Sequence, residues 1–466
     1  MNITINNAVV VVDASADVRK YCRDNLIIDN PDYISRERAG RWTGTIPRYM
    51  HLYEEIGNTI IMPYGCRRDP EFIRITETAH KAWSKYPEID DFRAYYKSNI
   101  NLYPYQKHVV HAALAAKNGI IIMPCGSGKT QTALECIARI GLKTLWLTHT
   151  QDLLRQSMDR AKRCYDVDPD DFGVITAGRV NIGRGITFAT IQTMCKLDLD
   201  KYQQQWAVIV VDECQHCCGS PTKVSQFYHV VNSLYAPYKF GLTATPTRSD
   251  GLERSMYALL GPTIINVDKS AVSSRTCDVI VEKIPTSYEP DADAITDGDG
   301  TINYAALVSD LIEDEERREQ ISAVINDRCR KFSMVLANRV QYLKDLYRDY
   351  NGNAVLISGC GTSKKAKEER QSALDKLNRG EIDCIFATYK LAAEGLDCPN
   401  LRFVVFATPE KDERTIIQSV GRVARKADGK EFGTVIDFVD DFGMYQTWAK
   451  KRARYYKNLG AHIKNT

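Results

Sequence analysis

Ile120-Ile121-Ile122-Met123-Pro124-Cys125-Gly126-Ser127-Gly128-Lys129-Thr130-Gln131-Thr132-Ala133-Leu134-Glu135-Cys136-Ile137 is the stretch on which the reading of this chain turns. An apolar run ends at a proline, passes through a glycine-rich turn and enters a segment of helical composition. Glycines at a strand-to-helix turn let backbone N–H groups close on phosphate oxygens, and the helix amino terminus adds favourable partial charge. In this pattern Gly126, Ser127 and Gly128 cradle the phosphates, Lys129 reaches the β and γ phosphates, and Thr130 meets Mg²⁺. The usual eight-residue pattern opens on glycine, and Met123 stands there instead. The mechanical core, GSGKT, is intact.

A second element lies downstream, where Val208-Ile209-Val210-Val211 runs into Asp212-Glu213-Cys214-Gln215-His216. Two acids at the carboxyl end of an apolar strand are costly to bury unless they serve a cation or a water. Asp212 is the expected Mg²⁺ holder, through water, and Glu213 the expected base that orients and deprotonates an attacking water. Capping of the next helix is the plainer alternative. Cys214, Cys217 and His216 invite a zinc reading, but one C-x-x-C without a second pair is weak, and no zinc is expected.

Around these two elements, apolar runs alternate with helical stretches. The runs are 120–122, 144–147, 208–211 and 240–242, then 334–336, 354–357, 384–386, 403–406 and 435–436. Continuous apolar strands separated by helices predict parallel sheets covered on both faces. Two such series predict two α/β domains in tandem. The length, 466 residues, suits two to four domains. The predicted division is an accessory domain over 1–98, a first motor domain over 99–275, an acidic linker or loop over 276–300, and a second motor domain over 301–466 with a basic tail. No apolar run is long enough to span a bilayer, and acidic Asp13, with no basic segment ahead of the apolar run, argues against a signal peptide. Fourteen cysteines without framework spacing fit reduced thiols in a cytoplasm. Lys and Arg total 62 against 59 acids, so net charge alone names no partner. The small surplus falls between residues 101 and 275.

With these elements placed, residues 102–425 resemble a superfamily 2 helicase. Leu102-Tyr103-Pro104-Tyr105-Gln106 is similar to the adenine-reading Q element, Gly241 to Pro246 (GLTATP) to motif III, Ala387 to Asp397 (ATYKLAAEGLD) to motif V, and Gln418 to Arg425 (QSVGRVAR) to motif VI. The resemblance implies two RecA-like domains and ATP as cofactor. It implies that Gln106 hydrogen-bonds the adenine while Tyr103 stacks on it, and that Gly395 and Asp397 also touch the nucleotide. Thr243, Thr245, Gln215, His216 and Gln418 would couple hydrolysis to movement. Arg422 and Arg425 would deliver positive charge to the transition state. Three apart, they would share a helix face, although a solvated basic face is the alternative.

Within the superfamily the chain is similar to the XPB, RadD and UvsW group, on PCGSGKT, Asp212-Glu213-Cys214, GLTATPTRSD at 241–250 and Glu313 to Arg318 (EDEERR). Gln215 stands where that group often has histidine. This likeness implies an ATP-dependent DNA helicase or translocase acting on forked or junction DNA in replication, recombination or repair, with an RNA helicase or a restriction-system motor as alternatives. It suggests a phage or bacterial protein in a bacterial or phage-infected host cytoplasm, acting as a monomer. By position, Thr148, Thr150, Gln156, Thr190, Gln192, Asn338, Arg339, Ser358, Gly359 and Thr388 would form the nucleic-acid track. Outside the motor, Tyr33, Arg36, Arg38, Arg41, Trp42, Arg48, Tyr49 and Tyr53 interleave basic and aromatic residues. Such a stretch binds backbone and stacks on bases, or is an ordinary exposed edge. The tail from Trp448 to Lys457 is read the same two ways.

Overall fold

Val208–Asp212, apolar up to its last residue, lies inside an eight-stranded sheet in the computed structural model, which describes residues 1–83, 93–166, 168–219, 225–248, 250–272, 276–297, 302–357, 364–393 and 398–465. The strand order is Arg179–Asn181, Phe172–Thr176, Ile186–Thr190, Thr144–Thr148, Val208–Asp212, Tyr238–Thr243, Asn118–Ile122, Thr263–Asn266. All neighbours are parallel except the first pair. The inner strands are buried along nearly their whole length, which is why they read as unbroken apolar runs rather than alternating ones.

Two compact units divide the chain: Met1–Pro124 with Gly128–Asp268, and Cys125–Ser127 with Lys269–Thr466. The first therefore includes residues 1–83 as well as the eight-stranded sheet. Those residues build their own sheet, ordered Glu54–Ile56, Thr59–Pro63, Ala8–Val12, Asn2–Ile5, His80–Trp83. Its core holds Val9, Val11, Tyr21 and Met62 together with Tyr235, Leu252 and Ala258 from the motor domain. Gly65 makes the junction tight: a Cβ there would lie 2.3 Å from the Gly261 nitrogen. Arg68 donates to the carbonyls of Ala116 and Asn118, and the buried Lys239 Nζ sits 4.6 Å from the Tyr64 ring. The expected accessory domain thus shares one apolar core with the first motor domain.

The second unit contains a seven-stranded parallel sheet ordered Ala354–Ile357, Cys384–Thr388, Ser333–Ala337, Phe403–Phe406, Phe432–Val439, Asp278–Pro285, His462–Asn465. Asp278–Pro285 departs from the expected acidic linker over 276–300. Val279 and Val281 are core residues of this strand, and Glu282 is paired with Arg328, so its charges line a strand rather than a loop. Beyond it, Tyr288 and Ile295 pack with Tyr445 and Trp448. The basic tail is partly structural: Lys450, Lys451, Arg454 and Lys457 stay exposed. It forms the helix Gly443–Asn458, whose Trp448 and Tyr456 are buried and whose Arg452 meets Asp437 at 2.8 Å. Among the described residues no helix is long and apolar enough to cross a membrane.

Candidate active site

In a parallel sheet all carboxyl ends emerge on one edge, and ligands bind there. The strands ending at Ile122, Thr148, Thr190, Asp212 and Thr243 are neighbours, so the phosphate loop, the acid pair and motif III share that edge. The Met123 N–H donates to the Thr243 carbonyl at 3.0 Å, fixing the loop's first residue to motif III. Gly126 and Gly128 have φ of 79° and 83°, backbone that a Cβ resists, and Gly128 caps the helix Lys129–Ile140. The sequence needs glycine at these two positions to turn the loop into the helix.

Lys129 Nζ lies 3.6 Å from Glu213 Oε1. Glu213 is held at φ 52°, ψ 53°, in the left-handed region. Its backbone N–H donates to Asp212 Oδ1 at 3.1 Å, and Gln215 Nε2 donates to Glu213 Oε2 at 2.7 Å. Burial works against the charge on Glu213, but the Lys129 ammonium and then the Gln215 amide outweigh it and keep the carboxyl below its ordinary value. Burial, and next the Glu213 charge, push Asp212 up to about 7. A buried carboxylate in that position is suited to a divalent cation, whose charge would offset both effects. Asp212, with Thr130 at the start of the helix, is the donor set that fits Mg²⁺. Among the described residues no group of three or more His, Cys, Asp and Glu could hold a metal by itself. Cys214 and Cys217 are buried in the apolar core.

Three residues at this edge were not singled out from the sequence. His149 follows the strand Thr144–Thr148, lies against His216 with ring centroids 4.3 Å apart and planes tilted by 37°, and adds to the field lowering Glu213. Arg248 pairs with Asp250 and donates to the Gln215 carbonyl at 2.6 Å, tying the GLTATPTRSD stretch to the acid pair. Ser157 hydrogen-bonds Asp212. The order of motifs hinted at Arg248, which lies in a quoted stretch; nothing local marked His149 or Ser157.

Other expected residues make contacts within the chain. Gln106 is buried and its Oε1 accepts the Tyr103 N–H at 3.0 Å, so it caps the helix Pro104–Ala116. Tyr103 is exposed beside Tyr105, with ring centroids 6.0 Å apart. Thr243 Oγ1 accepts the Thr245 N–H. Thr148 and Thr190 are buried and turned inward, onto the Thr150 carbonyl and onto Thr176 and Thr193, which takes these two hydroxyls off the surface track. Thr150 caps the helix Gln151–Cys164, on which Gln156 is half-buried. Gln192 donates to the His149 carbonyl at 2.7 Å.

In the second unit, Thr388 and Ala337 are register partners, so Thr388, Asn338 and Arg339 lie at the carboxyl edge of that sheet. Asn338 Nδ2 donates to the Pro409 carbonyl at 3.1 Å, and Arg339 is exposed. Gln418 and Arg422 lie on the helix Glu413–Val423, and Arg422 Nε donates to the Ala392 carbonyl at 2.6 Å. Arg425 does not share that helix. The helix ends at Val423, and Arg425 forms a bridge with Thr276, so the expected common face is lost where the backbone becomes extended. Ser358, Gly359, Gly395 and Asp397 lie outside the described residues.

Two parallel-sheet domains in tandem, the first with a phosphate loop and acid pair on one edge, define a nucleotide-driven motor of the RecA-like kind. Comparison with known proteins agrees. Residues 99–248 match the family described as Type III restriction enzyme, res subunit, and residues 305–427 match the helicase conserved C-terminal domain. The chain is 25% identical over 366 residues to the DNA 3'-5' translocase XPB2 of Sulfurisphaera tokodaii, covering 71% of this chain and 80% of that one. It is 25% identical over 378 residues to the DNA 3'-5' helicase XPB of Kineococcus radiotolerans, covering 77% of this chain and 63% of that one. In fold it is similar to the ATP-dependent Type ISP restriction-modification enzyme LlaBIII bound to DNA, with a TM-score of 0.56, 17% identity, and coverage of 79% of this chain and 31% of that one. The chain is a superfamily 2 helicase, an ATP-dependent enzyme.

Proposed function

We propose that this helicase is an ATP-driven DNA translocase that remodels forked and junction DNA in replication, recombination or repair. The observation that carries the reading is the cluster of Lys129, Asp212 and Glu213 on one sheet edge, in a chain similar to DNA translocases of the XPB kind. In this reading Lys129 and the glycine loop bind the nucleotide's phosphates, and Asp212 with Thr130 holds Mg²⁺, which supplies charge neutralisation when bound. Glu213, kept ionised by Lys129 and Gln215, takes the proton of the attacking water. Arg422 and Arg425 stabilise the transition-state charge. Arg339 and Gln192 contribute to a track that grips phosphates without reading sequence.

The test is an ATPase and unwinding panel over single-stranded, blunt duplex, forked and four-way DNA, with matched RNA. Strongest stimulation and strand displacement on forks or four-way junctions supports the proposal. Stimulation by RNA alone removes the DNA assignment, and equal response to blunt duplex and junctions removes the junction role. A restriction-system motor is the second reading, favoured by the description of the matched family and by the fold of LlaBIII; co-purification of a nuclease subunit decides for it.

A further inference from the structure

Residues 30–48 leave the N-terminal core and return to it. Ile27–Asp29 and Tyr49–His51 pair antiparallel as a stem, anchored by the buried Ile28 and Met50. Asn30 closes its mouth, with its N–H on the Arg48 carbonyl and its Nδ2 on the Pro47 carbonyl, both at 2.9 Å. Beyond the stem the helix Pro31–Arg38 buries no residue. The excursion is an arm most of whose side chains stand in solvent, with Tyr33, Ile34 and Ile46 half-buried. Between the ends of the stem it carries Arg36, Arg38, Arg41 and Arg48 against Asp32 and Glu37.

Trp42 is 83% exposed, at the turn after this helix. Its ring lies against Gly44, where a Cβ would stand 3.0 Å from Cζ3, so glycine gives the indole a flat backing. Arg36 Nη1 donates to the Trp42 carbonyl at 3.3 Å, tying the arginine helix to the backbone of the residue that carries the indole. Leaving so large an aromatic surface in water gives the fold nothing, since neither the helix nor the stem packs on it. Arginines on the same arm as an exposed ring match a nucleic-acid strand with an unstacked base: phosphates meet the arginines and the base meets the ring.

We propose that this arm is a second DNA grip, in which Arg36, Arg38 and Arg41 hold backbone phosphates while Trp42 stacks on an unpaired base, so that it favours duplex adjoining unpaired nucleotides. The proposal rests on the DNA translocase reading and names the structure within the DNA that is recognised. Full-length wild type, Trp42→Ala, Trp42→Phe and the double variant Arg38→Ala/Arg41→Ala are compared for affinity to a fork with unpaired arms and to a blunt duplex, by fluorescence anisotropy over a salt series. Trp42→Ala reduces the fork-to-duplex affinity ratio roughly ten-fold, the order that base–aromatic stacking supplies, and Trp42→Phe recovers most of it. The arginine double variant weakens fork binding and flattens its salt dependence by about one to two units of slope. An unchanged ratio in Trp42→Ala, with wild-type ATPase stimulated by DNA, overturns the arm alone. A wild-type enzyme that no DNA stimulates overturns the underlying reading and the arm with it.

Discussion

Glu213 has a backbone conformation that a residue with a Cβ adopts at a cost of about 1–2 kcal/mol. Strain of this kind at a strand end, on a residue paired with Lys129 and Gln215, marks a side chain whose direction matters. Glu213→Gln is expected to leave nucleotide and DNA binding in place while turnover falls at least hundred-fold, and Lys129→Ala to abolish turnover; steady-state ATPase together with nucleotide-analogue and DNA binding checks both. Wild-type turnover in the two variants would remove the site assignment. These residues could be read from the sequence because their chemistry is local: a glycine turn, a lysine, two acids after an apolar run. The local contacts of Gln106, Thr148 and Thr190 are not legible, although their partners lie only two or three residues away, because the same amide or hydroxyl can serve a cap, a turn or a ligand.

Elements show where spacing misleads. Arg422 and Arg425 are three apart in sequence, but the helix stops between them, and Lys430 accounts for the stop. Its buried Nζ donates to the carbonyls of Val423 and Arg425 at 2.6 and 2.8 Å, and to that of Leu401, taking up carbonyls at and just beyond the helix end. A second charged side chain binds elements distant in sequence. Arg317, on the helix Glu315–Arg328, meets Asp440 at 2.5 Å with both side chains fully buried, and also donates to the Tyr342 hydroxyl and the Ala407 carbonyl. The EDEERR stretch that pointed to a family thus contains a residue with a structural task. Asp440→Asn leaves the guanidinium without its countercharge and is expected to destabilise the second unit by about 3–5 kcal/mol in urea unfolding, whereas Arg317→Met/Asp440→Leu costs much less. Equal losses would assign the stability to packing rather than to the pair.

At the scale of the molecule, both parallel sheets were legible because buried strands write themselves as unbroken apolar runs. The Asp278–Pro285 strand was not, since its charges, including the Glu282 that meets Arg328, resemble those of a loop when counted along the chain. Nor could sequence show that residues 1–83 join the motor's core. Lys239 records that joining in its protonation. Burial, and secondarily Arg67, push its pKa down to about 7, against 10.5 for an ordinary lysine. Between those values the unfolded chain holds a proton that the folded one has released, so raising the pH favours the fold. The melting temperature of wild type relative to Lys239→Met is expected to climb between pH 7 and pH 9; a constant difference would show that Lys239 keeps its proton throughout.

The meeting of Gly65 with Gly261 also limits how such a chain can evolve. Backbone pressed on backbone leaves no room for a methyl group on Gly65, so the N-terminal piece cannot be exchanged for a foreign cassette as linker-joined modules are. Changes to what this front piece contacts are therefore accommodated more readily in the loops and arm that stand clear of the junction than at the seam itself.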